Sequence, residues 1–150
     1  MRVVLQRVLS ASVTVEEQII AKIGRGLLLF VGIETEDNES DVQWLVKKII
    51  NMRIFSDQQQ KMNLSVQDIQ GEILVVSQFT LHASTKKGNR PSYIKSAKPD
   101  ISLPLYHHFI LEINKNINSE VQNGKFGTNM QVELVNDGPV TIIIDSKNKE

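Results

Sequence analysis

An uninterrupted apolar run, Leu27-Leu28-Leu29-Phe30-Val31, constrains the fold of this chain more than any other segment. A strand points successive side chains to opposite faces, so a run without a polar break is buried on both of them. It follows the turn signal Gly24-Arg25-Gly26 and belongs in the middle of a sheet. A second run, Ile73-Leu74-Val75-Val76, has the same character and is read as a strand continuing towards Leu81. Both fall far short of the roughly 20 apolar residues that cross a bilayer.

The opening stretch is rich in β-branched residues and reads as two strands, Val3 to Val8 and Val13 to Val15, with Ser10-Ala11-Ser12 as the break. Ile19, Ile20 and Ile23 form a third short run. The period then changes: Val42, Leu45, Val46, Ile49 and Ile50 share one helical face, and Ser40 and Gln43 have capping-box spacing, predicting a helix from Ser40 to Arg53. Ser56 to Gln70 is polar and reads as loop or weak strand. Pro104 suits the first turn of a second helix carrying Leu105, Phe109, Ile113 and Ile117. Met130, Val132 and Leu134, then Val140, Ile142 and Ile144, predict two final strands meeting at Asn136-Asp137-Gly138-Pro139. The expected class is α+β, a mainly β sheet or barrel with two helices, in a single domain over 1–150.

Composition removes several functions. With no Cys among 150 residues there is no disulfide framework, thiolate metal site or thiol nucleophile. A net charge of zero argues against a surface that coats nucleic acid. The first residues carry Arg2 and Arg7 and lack the apolar centre of a signal peptide, so the expectation is a soluble, cytoplasmic protein without membrane association.

Three segments have the residue types for chemistry. In Ser77-Gln78-Phe79-Thr80-Leu81, strand period puts Gln78, Thr80 and His82 on one face, where Thr80 and His82 are either a nucleophile and its base or strand-end groups satisfying backbone. The stretch His82 to Pro99 holds Lys86, Lys87, Arg90, Lys95 and Lys98 without a carboxylate, so it is either a phosphate-binding loop or a solvated one. Gly138-Pro139 is the most restricted dipeptide, and on local physics a plain hairpin turn. Adjacent His107 and His108 point about 100° apart on a helix and do not make a metal site.

Ser77-Gln78-Phe79-Thr80-Leu81 and Asn136-Asp137-Gly138-Pro139-Val140-Thr141 resemble the two signature motifs of the D-aminoacyl-tRNA deacylase family. The opening Met1-Arg2-Val3-Val4-Leu5-Gln6-Arg7-Val8, the loop Lys87-Gly88-Asn89-Arg90-Pro91-Ser92 and the segment Gly124-Lys125-Phe126-Gly127 are similar to that family in the same order. Thr128 stands where the family pattern leads one to expect alanine, and the glutamines near Gln58 are unusual.

The resemblance implies a cytoplasmic homodimer, free of metal and cofactor, that cleaves the ester between a D-amino acid and the 3′ terminal adenosine of tRNA. L-aminoacyl groups are rejected and achiral glycyl-tRNA passes. Each active site would lie at the subunit interface, between the Ser77 strand of one subunit and a cis Gly138-Pro139 turn of the other. Ser77, Gln78, Phe79 and Thr80 would be catalytic, with the amides of Phe79 and Thr80 as oxyanion donors. Gly138, Pro139, Met130 and Phe126 would bind substrate and select its hand, and Lys86, Lys87 and Arg90 would hold tRNA. The substrate's own 2′-OH makes a protein base optional. Two rivals stand beside this: a non-catalytic module that binds nucleic-acid ends, which 5% aromatic content disfavours, and a general esterase with Thr80 as nucleophile, which lacks a G-x-S-x-G elbow.

Overall fold

In the computed structural model, residues 1–149 are described. The chain runs β1 (Arg2–Val15), β2 (Gln18–Ile23), β3 (Gly26–Gly32), α1 (Glu39–Asn51), β4 (Phe55–Ser56), β5 (Met62–Leu64), β6 (Glu72–Ser77), a 3-10 turn (Phe79–His82), α2 (Pro99–Asn114), β7 (Gln122–Asn123) and β8 (Gln131–Asp145). The class is α+β, with two α-helices among the described residues. No helix is long and apolar enough to cross a membrane.

The apolar run forms β3, and it is central: the order is β2-β1-β3-β6-β7, with β8 on the other edge of β1. Leu27, Leu29 and Val31 point into a core shared with α1 and α2, while Leu28 points into a second core with Val8, Val13, Ile23, Leu74 and Val76. Both faces are therefore dry, which is why the run has no polar residue. β6 repeats the pattern beside it, parallel, with Leu29 opposite Val75 and Val31 opposite Ser77. β2 lies against β6 and β7, so the sheet curls into a nearly closed barrel around the second core.

Both terminal strands differ from the sequence expectation, for a shared reason. β1 is one strand: Val3 and Leu5 face the core of α1 and α2, Val8 faces the second core from the other side of the sheet, and a shift of phase after Val8 keeps Ala11 and Val13 on that second side. β8 is also one strand, because both of its halves pair with β1 instead of with each other. The pairing jumps from Gln6↔Thr141 to Val8↔Asn136, so Asp137, Gly138, Pro139 and Val140 bulge out opposite Arg7. The Gly138-Pro139 segment is thus a bulge within a long strand and not a hairpin turn. A second bulge lies in β1 itself, where Leu9 is extra between Val8↔Asn136 and Ser10↔Val135; it switches which side chains face inward and produced the apparent break in the opening strand.

The helices are displaced slightly from their expected bounds. α1 is capped two residues earlier, by Asn38 accepting from Ser40 N (2.9 Å) and by Asp41 accepting from Asn38 N (3.0 Å), not by Ser40 and Gln43. α2 begins at Pro99, so Pro104 lies inside the helix, with Tyr106, Phe109 and Ile113 buried. Within the predicted loop of Ser56 to Gln70, β5 pairs with β4 in a small two-stranded sheet.

Candidate active site

β6 does not continue to Leu81. Its last ladder contact is Ser77 with Val31, after which Gln78 N donates to Val31 O (2.8 Å) and the backbone turns at Gln78. The 3-10 turn is closed by Leu81 N donating to Gln78 O (3.3 Å) and Ala83 N to Thr80 O (3.0 Å). Its first amides, Phe79 and Thr80, stand at the open end of the turn. The turn lies directly on Gly32: a Cβ there would come within 2.9 Å of both Gln78 O and Leu81 Cβ.

This geometry removes the alternation expected for Gln78, Thr80 and His82. Gln78 Nε2 donates to Thr80 Oγ1 at 2.5 Å, whereas the His82 imidazole is buried, with Nε2 lacking a partner. The Thr80 hydroxyl therefore meets an amide, and no Thr-His nucleophile pair forms.

The turn walls a cleft of about 560 Å³. Ser77, Gln78 and Phe79 line one side and Phe126, Met130 and Thr128 another, so six of the residues expected at the site converge, if Thr80 beside Gln78 is included. Tyr106 fixes the wall from behind by donating to Val75 O (2.9 Å), with its ring 5.6 Å from that of Phe126. Burial pushes its phenol well above the ordinary tyrosine range, so it is a structural donor. Phe79 is 57% exposed and meets Tyr93 edge-on, the ring centroids 5.1 Å apart.

Lys86, Lys87 and Arg90 are exposed and do not line the cleft. They project from an excursion closed at its base by paired bonds between Ser84 and Ser92, of 2.8 and 2.9 Å. Gly138 and Pro139 are likewise outside the cleft of their own chain and exposed, and the peptide between them is cis.

The bulge is held by residues to which the sequence reading gave no function. Arg7 is 8% exposed; its Nε donates to the Asp137 carbonyl (3.2 Å) and meets Asp137 Oδ2 (3.1 Å), and its Nη1 donates to Ile54 O (2.5 Å). Asn136 Nδ2 spans the neck, donating to Arg7 O (2.9 Å) and Val140 O (3.0 Å). Gly138 has φ of +121°, and a Cβ on it would stand 2.7 Å from Arg7 Nη2. Tyr93, Ser96 and Ala97 also line the cleft unforeseen; Ser96 Oγ donates to Phe79 O (2.8 Å). A lone arginine at a core-facing strand position was the one available signal for Arg7. Behind the 3-10 turn, Glu34, Asp37 and His82 place ligand atoms within 4.8 Å of one another, but the Met1 ammonium already sits on Asp37 Oδ1 at 2.5 Å.

Comparison with known proteins agrees with this layout. The model of the family described as D-Tyr-tRNA(Tyr) deacylase matches residues 4–145. The chain is 62% identical to a D-aminoacyl-tRNA deacylase of Flavobacterium psychrophilum and 60% identical to one of Parabacteroides distasonis, over 100% of both chains in each case. A solved c-Myc DNA unwinding element binding protein superposes with a TM-score of 0.92 at 41% identity, covering 97% of this chain and 98% of its own. A cleft closed by the Ser77 to Leu81 turn, a bulge carrying Asn136 to Thr141, and full-length identity to named relatives lead to one statement: the chain belongs to the D-Tyr-tRNA(Tyr) deacylase family.

Proposed function

We propose that this protein hydrolyses the ester of D-aminoacyl-tRNA in the cytoplasm, releasing free amino acid and tRNA, and that glycyl-tRNA is also a substrate. The observation that carries the reading is the abrupt end of β6: the amides of Phe79 and Thr80 stand free of the turn's own bonds beside a cleft large enough for an adenosine. Negative charge develops on the carbonyl oxygen during ester hydrolysis, and amides fixed at that point stabilise it without rearrangement. Water attacks the carbonyl carbon, and the ribose 2′-OH adjacent to the ester orients it. The Thr80 hydroxyl accepts from Gln78 and has no base beside it, which favours this route over a general esterase with Thr80 as nucleophile.

Selection of hand is assigned to the Gly138-Pro139 bulge of a second copy. Within one chain the bulge is exposed and separate from the cleft, so it serves the reaction only across a dimer. A suitable surface exists: Phe30, Val4 and Ile143 are aligned across β3, β1 and β8, and Ile143 is 73% exposed. Met130 and Phe126 shape the cleft wall against the substrate. Excluding the wrong hand by collision would leave D side chains of varied size acceptable. Lys86, Lys87 and Arg90 would bind tRNA phosphates.

The deciding experiment is incubation with matched D- and L-aminoacyl-tRNA in the presence of a chelator, following release of amino acid. Rapid release from the D ester alone supports the proposal. Equal release from both hands removes chiral proofreading, and tight binding without release leaves a nucleic-acid-end binding module.

A further inference from the structure

Tyr93, Ile94, Lys95 and Ser96 form a turn beside the cleft, closed by Ser96 N donating to Tyr93 O (3.0 Å). Its base is anchored to the end of β3 by Thr35 N donating to Lys95 O (3.3 Å) and Ala97 N to Ile33 O (2.9 Å), and to the catalytic turn by Ser96 Oγ. The flanking residues Tyr93, Ser96 and Ala97 line the cleft, but the two tip residues do not. Ile94 is 90% exposed, and Lys95 beside it is exposed too.

A branched apolar side chain held in water on a fixed turn contributes nothing to the core. Its surroundings point to the occupant that would cover it, because from His82 to Pro99 there are five cations and no carboxylate. Fixed apolar surface with adjacent lysines suits an unpaired nucleotide, whose base lies against the apolar side chain while its phosphate meets the ammonium. Because Tyr93 and Ser96 on either side of the tip line the cleft, Ile94 and Lys95 stand at its rim, next to any strand whose terminal adenosine occupies it.

We infer that Ile94 and Lys95 form a platform for the nucleotide preceding the terminal adenosine, which makes the enzyme sensitive to the RNA end and not only to the aminoacyl group. This rests on the deacylase reading and adds a subsite to it. The platform is a place for one base of an unpaired strand, with Tyr93 continuing its apolar surface into the cleft.

The test compares wild type with Ile94→Ser on a D-aminoacyl minihelix with a single-stranded 3′ end, on the same minihelix abasic at the penultimate position, and on the D-aminoacyl ester of adenosine alone. Ile94→Ser should raise KM about tenfold on the intact minihelix, the scale of one aliphatic side chain losing its cover. It should leave the adenosine ester unchanged and have no further effect on the abasic minihelix. Lys95→Ala should weaken the intact minihelix and flatten its salt dependence. Equal effects on all three substrates, or an undiminished effect on the abasic one, would overturn the platform. Dissociation of a dimer by Ile94→Ser would instead assign the tip to a contact between copies. Anisotropy with the uncharged minihelix separates the two readings: if wild type cleaves nothing, the deacylase reading fails, while the platform stands or falls on whether Ile94→Ser and the abasic site weaken binding to the same extent.

Discussion

The buried guanidinium of Arg7 grips Asp137 twice, by its carboxylate at 3.1 Å and its backbone carbonyl at 3.2 Å, and so ties the bulge to the strand from which it departs. Asp137 is only partly buried, with 31% of its side chain exposed, so the pair is worth less than a fully buried one. The Arg7 bond to Ile54 O adds to the loss when the guanidinium is removed. Arg7→Met should cost about 1–3 kcal/mol in urea unfolding. It should also lower D-aminoacyl cleavage, because the bulge loses its tether. Unchanged cleavage by a folded Arg7→Met protein would show that bulge position does not matter to the reaction.

Gly138→Ala tests the same segment from the other side. Its Cβ would stand 2.7 Å from Arg7 Nη2 and 2.9 Å from Val140 Cγ2, at a φ of +121° that side-chain-bearing residues avoid. The exposed bulge can shift, so the fold should survive with a loss of about 1–3 kcal/mol. The D-over-L preference should fall more than the binding of uncharged tRNA. Normal discrimination by Gly138→Ala would move chiral selection elsewhere.

The elements whose neighbours all agree were legible in the sequence. β3 and β6 are apolar on both faces because both faces are covered, and α1 shows a single buried stripe. Reading failed where long-range pairing overrides local pattern. β1 changes face after Val8, where Leu9 is an extra residue between Val8↔Asn136 and Ser10↔Val135, and β8 makes its own bulge opposite Arg7; neither segment alone reveals the other. The end of β6 was missed because Gln78 to His82 has a strand-like alternation, yet Gly32 allows the chain to turn down onto β3. The motif residues themselves were found by resemblance. Ser96 and Ala97 join them through bonds to Phe79 and Ile33, and Tyr93 through its ring contact with Phe79, partners that lie far away in sequence.

Acid stability should depend on the closure of the chain's ends. Burial pushes the Asp145 carboxyl up, but the Arg2 guanidinium at 2.7 Å and the amides of Lys147 and Asn148 outweigh it, leaving the group below its ordinary 3.8. A depressed folded value means the contribution is complete above about 3.8 and is lost as pH falls through the lower folded value. Asp41 behaves alike: burial raises it, and the bond from Lys147 with those of Ser146 and Asn38 lowers it further. Lys147→Met should therefore bring acid unfolding to higher pH. An unmoved acid midpoint, by circular dichroism, would contradict this account.

The Thr80 hydroxyl should be dispensable. Thr80→Ala loses the bond from Gln78 and nothing in covalent chemistry, so cleavage should stay within about tenfold of wild type, the scale of one hydrogen bond. A substrate ending in 2′-deoxyadenosine, charged on the 3′ oxygen, should bind and yet be cleaved poorly. Complete inactivity of Thr80→Ala, with fold and assembly intact, would restore the nucleophile reading.

Assembly of the site across two copies can be tested by complementation. Phe79→Pro removes one of the two proposed amide donors directly, since proline has no N–H. The preceding Gln78 lies outside the α region that a following proline disfavours, at φ −144° and ψ 81°, and helical φ suits proline, so the turn should accept the change. Gly138→Val disables the other half by driving a branched side chain into Arg7. Each variant alone should be nearly inactive. If each site draws its amides from one chain and its bulge from the other, a mixed dimer holds one doubly damaged site and one intact site. Unfolding the two variants together and refolding them makes half of the dimers mixed, so about a quarter of wild-type sites should return. If both halves of the site belong to one chain, every chain in the mixture carries a lesion and no activity returns. Size-exclusion of the refolded mixture checks that dimers formed, and recovery of D-aminoacyl cleavage then measures the contribution that one copy's bulge makes to its partner's cleft.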